Sequence, residues 1–450
     1  MDGAPAGKRE ELSGWGRFPR VETTPCAPRS DDQFRAALSA ASGAIARGNG
    51  RAYGDSAVSP GATLSTRHFN RMLSFDDSTG MLVAESGVLL ADVIAAFLPR
   101  GWFPFVTPGT KFVSMGGAIA ADVHGKNHHK EGSFGAFVEW IEVMGADGAV
   151  TRCSHTENAD LFGWTVGGMG LTGVILRAAI RLRRVKSGWI RQTMVPAANL
   201  DAAIAALEQS LDATYSVAWI DCLATGAALG RSLVMLGEHA ALDDLDPARR
   251  GAPFATPRHK ARRVPIDFPS FALNGFSVAV FNDLYYARGK ARAGASLVDW
   301  DSYFYPLDAV LEWNRIYGKR GFAQFQCVLP TATAREGLAE LLRAISGAGA
   351  GSFLAVLKRM GAQDSRCSFP MEGYTLALDF PASPANLALL ERLDAITLAH
   401  GGRFYLAKDA RMRRDTLHAS DPRWASFAAM RERDGLSPVF RSAQSERLGL

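Results

Sequence analysis

Three glycine-rich loops within the first 175 residues constrain this chain more than any other feature. The first is Ala46-Arg47-Gly48-Asn49-Gly50-Arg51-Ala52-Tyr53-Gly54-Asp55. The second runs from Thr107 to His129 and holds Pro108-Gly109-Thr110, Ser114-Met115-Gly116-Gly117 and Ala121-Asp122-Val123-His124-Gly125-Lys126-Asn127-His128-His129. The third is Gly167-Gly168-Met169-Gly170-Leu171-Thr172-Gly173. Glycine lets the backbone approach a ligand closely and leaves N–H groups free to face phosphate oxygens. One such loop is as compatible with plain turns as with a ligand. Three, each beside an apolar strand, point to a single large phosphate-bearing ligand, and a nucleotide cofactor is the natural candidate.

The first loop is not a dinucleotide fingerprint of the Rossmann type. Gly48, Gly50 and Gly54 are spaced one residue too widely, and Asp55-Ser56 runs into the turn residues Ser59-Pro60-Gly61. A Rossmann loop needs a helix N-terminus under the pyrophosphate. The cluster His124-Gly125-Lys126-Asn127-His128-His129 invites a metal reading, but Gly125 spoils a helix and no carboxylate or cysteine stands at a ligand spacing. No metal is expected, and His124 is better used as a hydrogen-bonding or electrostatic partner of a redox cofactor.

The chain has 450 residues, enough for two domains with separate cores. A formal charge of +5 with no long block of like charge excludes a nucleic-acid arm, yet suits a phosphorylated or membrane-bound substrate. Five scattered cysteines, Cys26, Cys153, Cys222, Cys327 and Cys367, fit a reducing compartment rather than a disulfide framework. The segment Met1 to Glu10 lacks the apolar core of a signal peptide, and no apolar run reaches membrane-spanning length. The expectation is a cytoplasmic protein, with room for peripheral contact at a membrane.

Along the chain, short strands are expected at Gly43 to Arg47, Met81 to Gly87, Phe137 to Met144 and Gly173 to Leu182, the last exiting into the basic run Arg181 to Arg184. A helix is expected at Leu90 to Leu98, closed by Pro99-Arg100-Gly101. Beyond Val185 come a helix at Leu200 to Leu211 and a strand at Tyr215 to Cys222. A polar connection from Leu242 to Pro269 follows, rich in Arg249, Arg250, Arg258, Lys260, Arg262 and Arg263. It reads as a surface loop unless it faces a lipid or phosphate. Strands at Phe322 to Leu329, Phe353 to Leu357 and Tyr374 to Phe380 alternate with helices at Ala334 to Ile345 and Asn386 to His400, the order of an α+β layer on one sheet.

The three loops together resemble the FAD-binding domain of the vanillyl-alcohol-oxidase-type flavoproteins. The text beyond them is most similar to the decaprenylphosphoryl-β-D-ribose 2′-oxidase family, the flavin component of a two-protein epimerase. That similarity is carried by Trp313-Asn314-Arg315-Ile316-Tyr317-Gly318, Gln324-Phe325-Gln326, Ser352-Phe353-Leu354 with Lys358, and Gly402 to Asp409. The resemblance implies an α+β, two-domain fold of the FAD-binding PCMH type: a discontinuous FAD domain (1–186 and 404–450) and a substrate domain (187–403) built on an antiparallel sheet. It implies FAD held without a covalent bond, since Tyr53 stands where many relatives carry a tethering histidine. The implied cofactor contacts are Ala46, Arg47, Gly48, Asn49, Gly50, Arg51, Ala52, Tyr53, Gly54, Asp55, Ser56, Gly109, Ser114, Met115, Gly116, Gly117, Ala121, Asp122, Val123, His124, Ile175, Tyr405 and Lys408. It implies oxidation of the 2′-hydroxyl of a polyprenyl-phosphoryl-β-D-ribofuranose to a ketone. A separate NAD(P)H-dependent short-chain reductase then completes epimerisation to the arabinose lipid used for cell-envelope glycan. A soluble sugar or aldonolactone (alditol) oxidase and a non-catalytic flavin-binding protein are the alternatives.

Within that frame Lys408, His124 and Gln326 are the candidate catalytic residues, and Lys358, Gln324, Tyr53, Asn314 and Thr375 the candidate substrate-binding ones. Lys408 is expected at the end of an apolar strand, where burial lowers its pKa towards that of a working base, or where it stays charged and anchors substrate. Lys358 is expected to follow the strand Phe353 to Leu357 and to bind phosphate. Gln324 and Gln326 alternate on one strand and so share a face. The family's flavin-side cysteine is replaced by Ala377, and Thr375 stands where asparagine is expected.

Overall fold

The computed structural model describes residues 8–257, 259–269, 274–352 and 354–450. The expectations resting on Met1 to Gly7, on Arg258 and on Phe353 lie outside the described residues. Residues 8–186 build two sheets. One has the order β1-β2-β4-β3, from Glu10–Ser13 (β1), Arg20–Cys26 (β2), Ala44–Arg47 (β3) and Ala62–Ser65 (β4). The other comprises Met72–Asp76 (β5), Met81–Glu85 (β6), Trp102–Pro104 (β7), Val138–Met144 (β8), Val150–Ser154 (β9) and Val174–Arg184 (β10). Helix α1 (Asp31–Ala40) starts where Ser30 accepts a hydrogen bond from the Gln33 N–H and two aspartates occupy the first turn, both favourable at a helix N-terminus. Phe34, Ala37 and Leu38 then fall on one helical face and bury against Leu64, Phe69 and Leu176. Helix α2 (Leu90–Phe97) buries Leu90, Val93 and Phe97 in one cluster with Leu82 and Ile141.

The third sheet is antiparallel and has eight strands in the order β15-β11-β13-β12-β18-β19-β17-β20. They are Trp189–Ala197 (β11), Tyr215–Ile220 (β12), Ser232–His239 (β13), Gly294–Asp299 (β15), Phe322–Pro330 (β17), Ala355–Met360 (β18), Gly373–Pro381 (β19) and Arg403–Phe404 (β20). Arg262–Arg263 (β14) and Val310–Leu311 (β16) pair separately and pin the basic connection, which is held again where Thr256 accepts from the Trp300 indole at 3.1 Å and Asp267 from Arg17 at 2.6 Å. One face of the large sheet is covered by Leu200–Glu208 (α4), Thr331–Gly347 (α6) and Pro384–Ala399 (α7), with Leu338, Leu341, Leu342, Leu390 and Leu393 packed on Phe325, Cys327, Leu376 and Leu378. Each such leucine stabilises the layer by roughly 1.5–3 kcal/mol relative to exposure. Helix α5 (Gly275–Lys290) lies on the opposite face, against β11 and β13.

After β20 the chain leaves this sheet and returns to the glycine loops. Helices α8 (Arg414–Ser420), α9 (Arg423–Arg433) and α10 (Ala443–Leu448) close the structure there. Ala44 N–H donates to Val439 O at 2.7 Å, and fully buried Arg431 donates to Leu171 O at 3.0 Å.

Three local expectations change. Arg181 to Arg184 lie inside β10, not beyond it, because alternation sets Arg181 and Arg183 where they pair with Glu139 and Glu131. Lys358 lies within β18 rather than after it, because pairing with β19 carries the strand on to Met360. Lys408 does not end a strand: β20 stops at Phe404, and Tyr405 to Asp409 form turns in which Lys408 N–H donates to Tyr405 O at 3.0 Å.

Candidate active site

One large cavity has all three glycine loops along one side and the open face of the eight-stranded sheet along the other. The sheet contributes largely by alternation: Val217 and Trp219 of β12 with Ala218 between them, Met235 of β13, Val356 and Lys358 of β18, Ala377 of β19, and Gln324 and Gln326 of β17. Neighbours such as Phe325, Cys327 and Leu357 point the other way, into the helical layer. The first two loops are tied by Asn49, whose amide donates to Phe112 O at 2.8 Å, and the second is tied to the segment after β20 by Tyr405, whose hydroxyl donates to Ala121 O at 2.8 Å.

The glycines are required by close packing of the loops themselves. A Cβ on Gly48 would stand 2.0 Å from Ser114 Oγ, and one on Gly116 would stand 2.7 Å from Ser86 Cβ. Ser114 in turn caps helix α3 (Met115–Ala120), accepting from Gly117 N–H at 3.3 Å. The cradle also carries unmet polar capacity. Arg51 Nε, Ser86 Oγ, Thr107 Oγ1, His124 Nδ1 and Gln324 Oε1 all belong to cavity-lining residues, and each atom is buried without a hydrogen-bond partner among the described residues. An unpaired buried polar atom costs about 1–3 kcal/mol. Five around one cavity fit a polar ligand that completes them, such as a nucleotide cofactor with its phosphates and ring.

At the far side the polar groups converge. Gln326 Nε2 stands 3.0 Å from His124 Nε2 and 3.2 Å from Thr375 Oγ1. Thr375 spends its own proton on Cys327 O at 2.8 Å. The amide nitrogen therefore donates both hydrogens inward, to histidine and threonine, and leaves Oε1 as an acceptor. Burial, with lesser repulsion from Lys358, His128 and Lys408, holds the His124 pKa well below its usual value, so the ring is neutral. With Nε2 accepting, the ring proton sits on the unpartnered Nδ1. Gln324 repeats the pattern: its amide nitrogen donates to Asp379 and its Oε1 is free.

Three lysines line the cavity. Lys358 is lowered to about 8 by burial, and Lys126 to about 7 by burial and the nearby Lys358. Lys126 donates to Tyr303 O and stands 4.2 Å from the Tyr303 ring centroid. Lys408 Nζ lies 3.5 Å above the Tyr53 ring. Its pKa is lowered by burial, an effect that Asp379 opposes and Lys358 reinforces. Asp379 is fully buried and its carboxyl is pushed up for the same reason.

Of the residues expected from sequence, Ala46, Gly48 to Tyr53, Ser56, Gly109, Ser114, Gly116, Gly117, Ala121, Val123, His124, Ile175, Tyr405 and Lys408 all line the cavity, as do Lys358, Gln324 and Gln326. Several others stand behind it. Met115 is buried in the apolar cluster under α3, and a Cβ on Gly54 would meet Asp409 O at 2.0 Å. Asp55 pairs with Arg447 at 2.8 Å, and Asp122 accepts from Ser133, Gly135 and Gln363. Arg47 and Asn314 border a neighbouring recess, where Arg47 donates to Ser13 O at 2.8 Å and Asn314 to Trp15 O at 2.9 Å. Thr375 supports Gln326 and does not line the cavity. Among the described residues no group of three or more His, Cys, Asp and Glu is placed to hold a metal, and His128 and His129 bond to Gln363 and Ala213 instead.

Sequence reasoning missed Lys126, Trp219 and Tyr285. Lys126 stands inside the quoted His-Gly-Lys-Asn-His-His motif and was open to discovery. Trp219 and Tyr285 enter only because β12 and α5 meet beside the cavity, their rings 4.9 Å apart.

Residues 26–154 match the family model described as FAD binding domain. The chain is 35% identical over 452 residues to the decaprenylphosphoryl-beta-D-ribose oxidase of Mycolicibacterium smegmatis, covering 98% of each. It is 34% identical over 364 residues to an uncharacterized protein in the mprA 5′ region of Streptomyces coelicolor, covering 78% of this chain and 97% of that one. A shorter match, 29% over 134 residues and 30% of each chain, joins it to L-gulonolactone oxidase of Mus musculus. With these comparisons the chain is an FAD-binding oxidoreductase, and its fold is the two-domain α+β type of the FAD-binding oxidases.

Proposed function

Because the chain belongs to the decaprenylphosphoryl-beta-D-ribose oxidase family of FAD-dependent oxidoreductases, we propose that it oxidises the 2′-hydroxyl of a polyprenyl-phosphoryl-β-D-ribofuranose to the 2′-ketone. The observation that carries this reading is the division of one cavity into three parts. A glycine cradle lies on one side, two amide oxygens and three lysines are gathered at the cavity with it, and an apolar wall of Val217, Trp219 and Met235 extends beyond. FAD, when bound, supplies the acceptor for the carbinol hydrogen and its electron pair. The amide oxygens of Gln324 and Gln326 accept hydrogen bonds from ribose hydroxyls and fix the ring. Lys408, its proton affinity weakened by burial, takes the hydroxyl proton. His124, neutral and with a free Nδ1–H, offers a donor to the cofactor side of the site. Lys358 and Lys126 donate to the phosphodiester, whose negative charge favours their protonated forms, and the apolar wall receives the start of the polyprenyl chain.

The cofactor is held without a covalent bond: Tyr53 stands in the first loop at the place of the tethering histidine, and His124, which among the described histidines and cysteines alone lines the cavity, has its Nε2 engaged by Gln326. The FAD domain comprises 1–186 with 404–450, and the substrate domain 187–403. A separate NAD(P)H-dependent reductase returns hydride to the ketone, giving net inversion and the arabinose lipid.

A soluble sugar or lactone oxidase would use the same cradle without the apolar wall. Anaerobic bleaching of the flavin separates the two readings. Polyprenyl-phosphoryl ribose in detergent should bleach it, whereas ribose, alditols and aldonolactones should not. Bleaching by a free lactone or alditol, with none by the lipid-linked sugar, would reject the proposal.

A further inference from the structure

Helix α5 presents an apolar face to solvent at the edge of the cavity. Asn274 caps it by accepting from Ser277 N–H at 3.0 Å. Its inner side is specified by packing: Val278, Asn282 and Gly289 are buried, Asn282 donates to Asp221 at 2.6 Å, and a Cβ on Gly289 would stand 2.2 Å from Leu233. The outer side is the unusual one. Phe276, Val280 and Leu284 fall four residues apart on one stripe and are 79%, 43% and 67% exposed. Phe281 and Tyr285 lie alongside, also exposed. Single exposed apolar residues are ordinary, but a contiguous stripe marks a surface with an occupant.

Two observations indicate which occupant. Exposed cations cluster at the C-terminal end of the stripe: Arg288 and Lys290 in the last turn and Arg292 just beyond, against Asp283, which is paired with Arg231. An apolar helix face with a basic border is the pattern of helices that lie in the interface of an anionic bilayer. The face is also continuous with the cavity, since Tyr285 and Trp219, 4.9 Å apart, both line it.

We propose that α5 docks this protein on the surface of an anionic lipid bilayer, its Phe276–Val280–Leu284 stripe entering the headgroup boundary and the apolar wall of the cavity opening beside it. The assignment of a lipid entry route rests on the polyprenyl-substrate reading; the docking itself rests on the helix alone.

Flotation of the FAD-loaded full chain with vesicles tests the docking without turnover. The protein should float with phosphatidylcholine vesicles containing phosphatidylglycerol and float less with phosphatidylcholine alone. The double variant Phe276→Ser/Leu284→Ser should lose about tenfold or more in vesicle partition, as expected for two large apolar side chains withdrawn from the interface. Its FAD content and thermal unfolding should be unchanged, because both side chains are exposed. Arg288→Gln/Lys290→Gln should abolish the preference for anionic vesicles, and Leu73→Ser, on a distant exposed strand, should change nothing. Wild-type protein remaining below the vesicles, or a double variant floating as wild type does, overturns the proposal. So does a wild-type dimer that the double variant converts to monomer, which would assign the face to a second copy. Bleaching by detergent-solubilised substrate separates failure of docking from failure of the oxidase reading.

Discussion

Lys408 and Lys358 line one cavity but are held in different ways, and different work is proposed for each. Lys408 stands over Tyr53 in a turn stitched to the first glycine loop by the Tyr53 N–H bond to Ala407 O at 2.9 Å. Lys358 is fixed on a rigid strand. Lys408→Ala should keep its FAD and lose flavin reduction at saturating substrate by about a hundredfold to ten-thousandfold, the usual range for a lost general base. Lys358→Ala should mainly raise the substrate concentration required, because a phosphate anchor acts equally before and during reaction. Anaerobic stopped-flow reduction reads both. Burial depresses the lysine pKa, and a base works only when unprotonated, so the wild-type reduction rate should rise with pH and level off well below the ordinary lysine value. Near-normal reduction in the Lys408 variant would remove it from the proton-transfer role. Ala377 lines the cavity opposite Gln326 in register, and Cys327 on the next position faces the helical core. Compounds that act by bonding to a thiol at that place should therefore leave no adduct on this protein by intact mass, whereas Ala377→Cys should restore one.

At the scale of elements, the site depends on the fit of one loop against a helix start. Gly48 leaves no room for a Cβ beside Ser114 Oγ, the atom that caps α3. Gly48→Ala should displace that serine and lose the cap, at about 1 kcal/mol. Its larger effect should be on the cradle: the ratio of flavin to protein absorbance after purification should fall severalfold, with the far-ultraviolet dichroism retained. Full flavin occupancy in this variant would show that the loop yields without cost. The strands impose a similar order by simpler means. Residue alternation alone sends Gln324 and Gln326 into the cavity and Phe325 and Cys327 into the core, so one strand serves the site and stabilises the fold together.

Across the whole molecule, the C-terminal helices act as a clasp on the first glycine loop. Arg447 bonds Asp55 of the first loop at 2.8 Å and Asp409, the neighbour of Lys408, at 2.9 Å; both carboxylates are almost fully buried. Removing one partner from such a group strands the other charges, and Arg447→Met should cost about 3 kcal/mol, the lower end of the range for buried pairs because the arginine is a quarter exposed. The sign of its pH dependence follows. Without the arginine both carboxyl pKa values rise in the folded state, so the unfolded chain binds fewer protons, and the variant loses stability as pH rises through the carboxylate range. The gap from wild type in thermal unfolding should be wider at neutral pH than near pH 4, and a gap independent of pH would exclude this account.

Much of this was legible in the chain itself, because glycine loops and alternating strands are local statements. The three loops, the paired glutamines, the helices at 90–97, 331–347 and 384–399 and the substitution at Ala377 can be read from neighbours in sequence, and the loops suffice to name a nucleotide cofactor. What they could not reveal depends on long-range pairing. Lys358 lies within a strand because β19 continues beside it, and Lys408 leaves its strand early because β20 finds only two residues of β17 to pair with. Asn314, Asp55 and Asp122 carry polar side chains as suitable as their neighbours, yet Trp15, Arg447 and Gln363 use them first. Lys126 and Trp219 join the cavity only when strand and loop meet. Sequence thus determined which chemistry this chain can hold, since backbone freedom and side-chain type are properties of residues. Tertiary structure alone decided which of those groups remain free to face a ligand, since a hydrogen-bonding group already satisfied within the fold has nothing left to offer.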